Sequence, residues 1–553
     1  MSTIDRLNRF VKNPVNLDIN RSKFNRPFTH KTTFKSGKLI PLYLDEVLPG
    51  DTFKVKWSSV IRMLTPAVPV MDNAFMDIYF FFVPFRLCTY GINDWQKIQG
   101  ENFSGPWAPQ TEVTLQSSAN TFTLNGRAVK VGSFANYIGI PLDGNFASAF
   151  GDLHLSLLPF NAYIRIWNEW FRDQNTQAPR ALLNAGSNTD INTLCTDCLD
   201  VNKLHDYFTS SLPAPQKGDS VLLPIGDSAP VIAKASEHTV GASEAPKVRL
   251  ASDGTVPTAG VGLSVGPQGK TYAGGNPGST NPVYFSNLYA DLSKATAVSV
   301  NQMRQAFAIQ RLLEKDARGG TRYREMLKAH FGVTIPDLTV QVPEYLGGKR
   351  FPLNITQVLQ TSQTSNESPL GATGAFSNTA MSDYAFIKSF NEYGYVMAVG
   401  CVRTEQSYSQ GIPKFLTRNR RYDFYLPVFA NLGEQPIYTR ELFVTNSTAS
   451  ATYFNRVFGY QEAWAEYRYH PNMVTGKLSP WANDNTMTAW TYTNKFSAAP
   501  VLNSEFMKQP ASQIGDTLVV TNTDSQFVAD FFFDIECTRP MPLYSIPGLI
   551  DHH

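Results

Sequence analysis

Residues Asp51 to Phe85 constrain the fold more than any other stretch of this chain. Phe53, Val55, Trp57, Ile61 and Met63 fall on one side of an alternating run, with Lys54, Lys56, Ser58 and Arg62 on the other. That period of two predicts a strand with one buried face. Pro66 and Pro69 then interrupt the ladder, because proline brings no N–H to it. The next run, AFMDIYFFFVPF, puts Met76, Ile78, Phe80 and Phe82 on one face and Phe75, Tyr79, Phe81 and Val83 on the other, with only Asp77 polar. A strand apolar on both faces needs cover on both, from a second sheet or from another subunit. Each large side chain so buried contributes roughly 1.5–3 kcal/mol.

The same signal returns at the far end of the chain. Phe527, Ala529, Phe531, Phe533 and Ile535 share a face, and Asp530, Asp534 and Glu536 lie opposite. Further strand signals lie in YGYVMAVGCVRTEQSY and RYDFYLPVFANLGEQPIY, and PEYLGGKRFPLNITQVLQTS reads as a turn followed by a strand. With the most aromatic strands near both ends, a mainly β, Greek-key barrel that brings sequence-distant strands together is the expected architecture. Helices are few. LPFNAYIRIWNEWFRDQN has Pro159 in its first turn and Phe160, Tyr163, Ile164, Trp167, Trp170 and Phe171 at helical spacing. A helix pair is expected over 299–331, with Ser299 and Gln302 as a capping box. Val300, Met303, Phe307 and Leu313 form its apolar face, Thr321 is the second cap, Met326 and Leu327 point inward, and Gly332 is the stop. Residues 361–383 read as a Ser, Thr, Asn and Gly loop.

At 553 residues the chain exceeds one ordinary core unless it carries large insertions or is built into an assembly. A formal charge of +2 gives no dominant acidic or basic balance. Aromatics reach 12% and charged residues only 17%, below the ~25% usual for soluble domains, which points to surface hidden against copies of the same chain. No apolar run is long enough to span a bilayer, and MSTIDRLNRF lacks the apolar core of a signal peptide. Five widely spaced cysteines, at 88, 195, 198, 401 and 537, fit a reducing compartment better than a disulfide framework.

Composition divides the chain into four parts. Residues 1–40 form a basic arm with nine Lys or Arg against Asp5 and Asp18, interleaved with Phe10, Phe24, Phe28 and Phe34 and with no clear period. Such arms bind polyanions or drape over neighbouring subunits. Arg6, Arg9, Lys12, Arg21, Lys23, Arg26 and Lys31 are the candidate DNA contacts. Residues 41–210 hold the first strands and the helix at 159–172. Residues 211–283 change character: Gly and Pro make 19 of the 70 residues from 211 to 280, with short runs (VLLPI, APVIA, KVRLA) able to pair as strands. This is the signature of a surface-raised insertion. Residues 284–553 complete the β domain. Trp57, Tyr79, Phe81, Trp167, Trp170, Phe531 and Phe533 are the candidate core or subunit-interface residues.

The motifs that carry chemistry are incomplete. Cys195-Thr-Asp-Cys198 with His205 lacks a second ligand pair for zinc and a βαβ setting for redox work. Gly260, Gly262 and Gly266 lack dinucleotide-loop spacing, and Lys349 after Gly347-Gly348 is not a phosphate loop. Glu462 and Glu466 lie one helical turn apart, whereas glycoside hydrolysis needs carboxylates opposed across a cleft. No metal, cofactor or catalytic set is expected. A carbohydrate-binding or glycoside-hydrolysing β-sandwich using Trp464, Tyr467, Glu462 and Glu466 is the alternative function.

Taken together, NRSKFNRPFTHKTTFKSGKLIPLYLDEVLPGDTFKV, MDNAFMDIYFFFVPFR, LPFNAYIRIWNEWFRDQN, GGTRYREMLKAHFGV, PEYLGGKRFPLNITQVLQTS and YQEAWAEYRYHPN resemble the major-capsid-protein family of gokushoviruses, tailless single-stranded-DNA phages of the Microviridae. The blocks span nearly the whole chain in order; the glycine-rich segment at 211–283 is the part not matched by motif. The resemblance implies an eight-stranded antiparallel jelly roll with large loop insertions, closed into a T=1 icosahedral shell around circular single-stranded DNA. It implies that 211–283 forms the protrusion raised at the threefold axes and meets a host surface receptor. Implied partners are copies of the chain, in pentamers within the shell, an internal scaffolding protein and a DNA pilot protein. The implied location is the virion, assembled in the bacterial host cytoplasm, with no membrane insertion.

Overall fold

The computed structural model describes residues 20–89, 120–146, 153–221, 300–362, 370–371, 373–445, 453–481, 486–520 and 525–544, with six short strands between 231 and 290. The chain divides into two compact units: Met1–Pro215 with Gly319–His553, and Gln216–Arg318.

The first unit is organised by two antiparallel sheets. Its strands are β1 (Ser22–Asn25), β2 (Phe28–Phe34), β3 (Ile40–Val47), β4 (Thr52–Met63), β5 (Ala74–Pro84), β6 (Glu344–Pro352), β7 (Thr379–Ser389), β8 (Gly394–Thr404) and β9 (Phe527–Arg539). In one sheet β9 lies between β4 and the β1–β2 pair, and β7 closes the far side of β4. In the other the order is β6-β5-β8-β3. The predicted alternation holds in β4 and β9: Phe53, Val55, Trp57, Ile61 and Met63 are buried, as are Phe527, Ala529, Phe531, Phe533 and Ile535. Register places Phe533 opposite Trp57, and Met397 of β8 opposite Phe81 of β5.

The two faces of β5 find cover inside the chain. Phe80 meets Phe533 and Phe386 of the facing sheet at ring separations of 6.3 and 5.8 Å. The other face is covered by helix α1 (Leu158–Ile166) and its continuation, one π-helical stretch over Trp167–Phe171. Pro159 sits in the first turn, where its missing N–H costs nothing. The π stretch ends with the Arg172 N–H donating to Trp167 O at 2.9 Å, and the wider turn aims Trp170 and Phe171 at the sheet. Trp170 packs on Phe81 at 5.4 Å and Phe171 on Tyr79 at 5.7 Å. No second subunit is needed to shield Phe81, which is 1% exposed; Tyr79 is half-buried.

Several elements differ from what the sequence predicts. The second half of the basic arm is not irregular: β1 and β2 both pair with β9, and β2 buries only its last residue, Phe34, which is why no period shows. The expected loop at 361–383 contains a strand at Thr373–Ser377 and the start of β7. The run 421–429 forms 3-10 turns rather than a strand, and only Gln435–Tyr438 is extended. Arg322, not Thr321, caps helix Tyr323–Phe331, with Glu325 reaching back to its N–H; Gly332 ends the helix in the left-handed conformation, as expected. Met326 and Leu327 are only half-buried.

The second unit contains three nested antiparallel pairs: Val231–Ala233 with Leu288–Ala290, Val248–Leu250 with Val283–Phe285, and Leu263–Val265 with Thr271–Ala273. APVIA and KVRLA each supply one of these strands; VLLPI lies outside the described residues except for Val221. Its helix Val300–Arg318 returns to the segment's start, where Gln310 Nε2 donates to Gln216 Oε1 at 2.6 Å. The expected apolar face of that helix is open: Val300, Met303 and Phe307 are exposed. Ser299 lies outside the described residues.

Candidate assembly and nucleic-acid surfaces

Of the candidate DNA contacts, Arg6, Arg9 and Lys12 lie outside the described residues. The other four sit along one edge of the β9 sheet. Arg21 donates to Thr52 Oγ1 at 2.7 Å, and Lys23 on β1 bridges Glu536 at 2.9 Å. Arg26 forks onto Asp45 at 2.5 and 3.1 Å, and Asp45 also accepts from the Tyr43 hydroxyl. Lys31 on β2 is exposed and makes no ion pair among the described residues. Lys23 lowers the Glu536 carboxyl's affinity for protons through its hydrogen bond. Exposed pairs of this kind contribute little to stability, so Lys23 is held only weakly by Glu536. Arg26 is held more firmly, by a two-point fork.

The candidate core residues are brought together. Trp57, Phe81, Trp167, Phe531 and Phe533 are buried, and Trp170 packs against them half-exposed. Trp57 meets Phe351 at 5.9 Å and Phe533 meets Tyr43 at 5.3 Å. The indole N–H of Trp167 donates to Asp200 O at 2.7 Å and that of Trp170 to Pro343 O at 3.1 Å, so both tryptophans bury an apolar body with a satisfied polar tip. Arg324 lies over the Trp170 ring at 4.1 Å. On the opposite, solvent face of the β9 sheet, Val60, Tyr384, Ile387, Val528 and Phe532 remain exposed. Sequence reading passed over this face because its apolar residues alternate with Lys and Asp.

The same core holds a buried charge that the sequence showed only as an isolated polar residue. Asp77 has no exposed surface and accepts from Arg350 at 2.6 and 3.1 Å and from Arg403 Nε at 2.8 Å. A carboxylate with no water contact is tolerable only when matched this completely.

Cys195 and Cys198 are buried free thiols; burial pushes Cys195 up to about 11 and Cys198 higher still. Among the described residues no group of three or more His, Cys, Asp or Glu is placed to hold a metal. Gly347 and Gly348 lie in β6 against β5, and Lys349 pairs with Asp383 at 3.0 Å. Gly260, Gly262 and Gly266 are outside the described residues. Glu466 is held by Arg418 and Lys414 at 2.8 and 3.4 Å, whereas Glu462 pairs separately with Arg468 at 2.7 Å. Trp464 is buried, its indole N–H donating to Phe429 O. Glu466 and Tyr467 line a cavity of about 300 Å3 that Glu462 does not line, so the two carboxylates are not opposed across it.

No helix among the described residues is long and apolar enough to cross a membrane. Residues 14–549 match the family described as capsid protein (F protein). The chain is 38% identical to capsid protein VP1 of Bdellovibrio phage phiMH2K, over 96% of this chain and 95% of the relative. It is 34% identical to capsid protein VP1 of Chlamydia phage 1, over 98% of each. It is 35% identical to capsid protein VP1 of Spiroplasma virus 4, over 96% of each.

Proposed function

The chain belongs to the capsid protein (F protein) family of Microviridae phages, and from that premise we propose that this major capsid protein closes into a T=1 icosahedral shell around circular single-stranded DNA. Its role is structural rather than catalytic. The observation that carries the reading is the pair of strand orders, β2-β9-β4-β7 and β6-β5-β8-β3. Taken along the chain, β2, β4, β7 and β9 go to one sheet and β3, β5, β6 and β8 to the other. Each sheet therefore interleaves strands from the two halves of the chain. With β1 set aside as a fifth strand that also pairs with β9, this interleaving supports the reading of an eight-stranded jelly roll, an architecture found in viral capsid domains.

In this reading the basic arm, 1–40, meets the genome or a neighbouring subunit on the inside. The insertion at 211–283 forms the surface protrusion that engages a host receptor, set between the jelly roll's first part (41–210) and its second (284–553). Pentamers, an internal scaffolding protein and a DNA pilot protein are the expected partners, with assembly in the bacterial cytoplasm and the mature protein in the virion. The exposed apolar face of Val60, Tyr384, Ile387, Val528 and Phe532 supports burial between copies. Electron microscopy of the protein expressed alone and with its scaffolding partner tests the shell: closed particles or pentamers are expected, and a compact monomer that persists at high concentration overturns it.

A further inference from the structure

A cavity of about 640 Å3 opens beside the turn that follows β2. Its wall comes from segments far apart in sequence: 35–38, 200–203, 491–501 and 503–516. Gly37 makes the closure possible. It sits at φ +75°, and a Cβ there would come within 2.1 Å of Gln509 O. Five lysines line the cavity, Lys35, Lys38, Lys203, Lys495 and Lys508, against the carboxylates Asp200, Glu505 and Asp516.

Those carboxylates are already matched. Lys38 bridges Asp197 and Asp200 at 2.6 and 2.7 Å, Lys495 bridges Asp516 at 2.8 Å, and Lys508 bridges Glu505 and Asp200 at 2.9 and 3.3 Å. Lys35 and Lys203 are left without an ion pair among the described residues. Lys203 is only 4% exposed. Its ammonium lies 4.4 Å from the centre of the Phe506 ring and 6.0 Å from that of Phe496. A ring face offsets only part of the cost of burying an unpaired ammonium. Burial accordingly lowers the Lys203 pKa to about 8, with Asp206 opposing the shift. Lys203 is thus a charge held out of water with aromatic rings, and no ion-paired carboxylate among the described residues, beside it.

We propose that this cavity binds a nucleotide through its phosphate, with Lys203 and Lys35 as charge partners and Phe496 as a stacking face for the base. Two unpaired ammoniums match the charge of a phosphate better than that of one carboxylate, and the volume lies in the range of small-molecule sites. Phe496 is half-buried and stacked on Phe506 at 6.1 Å, so it offers a supported ring at the cavity wall. The phosphate can come from a free nucleotide or from a nucleic-acid strand; the recognising chemistry is shared.

The test is calorimetric titration of the full-length, unassembled protein at low salt with dTMP, with thymidine and with a ten-residue oligothymidylate. Because it reads binding by the subunit, its outcome is separate from whether shells form. Binding of dTMP without binding of thymidine supports the site and identifies a free nucleotide as a sufficient ligand; because the basic arm can also hold a strand, oligomer binding alone supports the site, and identifies a strand, only where Lys203→Met or Lys35→Gln weakens it. Lys203→Met, which keeps the side-chain length and removes the buried charge, should weaken that binding at least about tenfold. Lys35→Gln, at a less buried position, should weaken it as well and keeps the test decisive if Lys203→Met fails to fold. Absence of binding by dTMP and oligomer alike, equal binding of thymidine, or unchanged affinity in both folded variants overturns the proposal.

Discussion

At the scale of single residues, two buried charges show opposite solutions to one problem. Asp77 is fully matched by Arg350 and Arg403, so removing its charge leaves the buried Arg403 guanidinium without its counter-charge, while Arg350 can turn to solvent. With one of its two partners half exposed, Asp77→Asn should destabilise the subunit by about 2–3 kcal/mol in urea unfolding. A loss under about 1 kcal/mol would mean that water reaches the site. Lys203 is unmatched, and its pKa of about 8 lies below the ordinary lysine value of 10.5. Between these two pH values the unfolded chain binds more protons than the folded one. Stability contributed by this residue therefore rises as pH goes from about 8 to 10.5, and below 8 the burial penalty is felt in full. Lys203→Met should flatten that part of the stability profile relative to wild type, measured by urea midpoints across the window. Parallel profiles would place the ammonium in water.

At the scale of elements, β5 and β9 divide the apolar surface into what the subunit covers itself and what it leaves open. Phe81 is sealed under Trp170 and Tyr345. Phe81→Ala should cost about 3–5 kcal/mol of subunit stability. Phe532, on the open face of β9, is 41% exposed; Phe532→Ala should change subunit stability by less than about 0.5 kcal/mol while lowering the yield of assembled particles in sedimentation. Equal effects of the two changes on unfolding would erase the distinction. The strands with one buried face, β4 and β9, were legible because alternation is imposed by burial itself. β1, β2 and the strand at Thr373–Ser377 were not, because they gain their place from hydrogen bonds to a neighbour more than from apolar side chains. The cover over β5 was legible as a need but not in its source. Nothing local in Trp167–Phe171 announces that a π turn will direct its rings to that sheet. The lysine cavity was invisible for a different reason: its wall is assembled from segments hundreds of residues apart, and no one of them has a motif.

At the scale of the molecule, a two-sheet unit is interrupted by a separately compact insertion at Gln216–Arg318. Loop insertions tolerate change, so replacing the whole unit Gln216–Arg318 by a short linker should spare assembly and abolish attachment to the host. Loss of particles on deletion would move the segment into the shell's own contacts. Neutralising Arg6, Arg9 and Lys12 should reduce the salt dependence of single-stranded-DNA retention, by a log–log slope of about 0.7 for each phosphate these side chains had neutralised. An unchanged slope would rule those contacts out. The most direct measurement of the central claim is the mass distribution of the expressed full-length protein, with its scaffolding partner, by analytical ultracentrifugation and electron microscopy. The account predicts pentamers that convert to closed particles of one size, and a well-folded monomer that never associates at any concentration would contradict it.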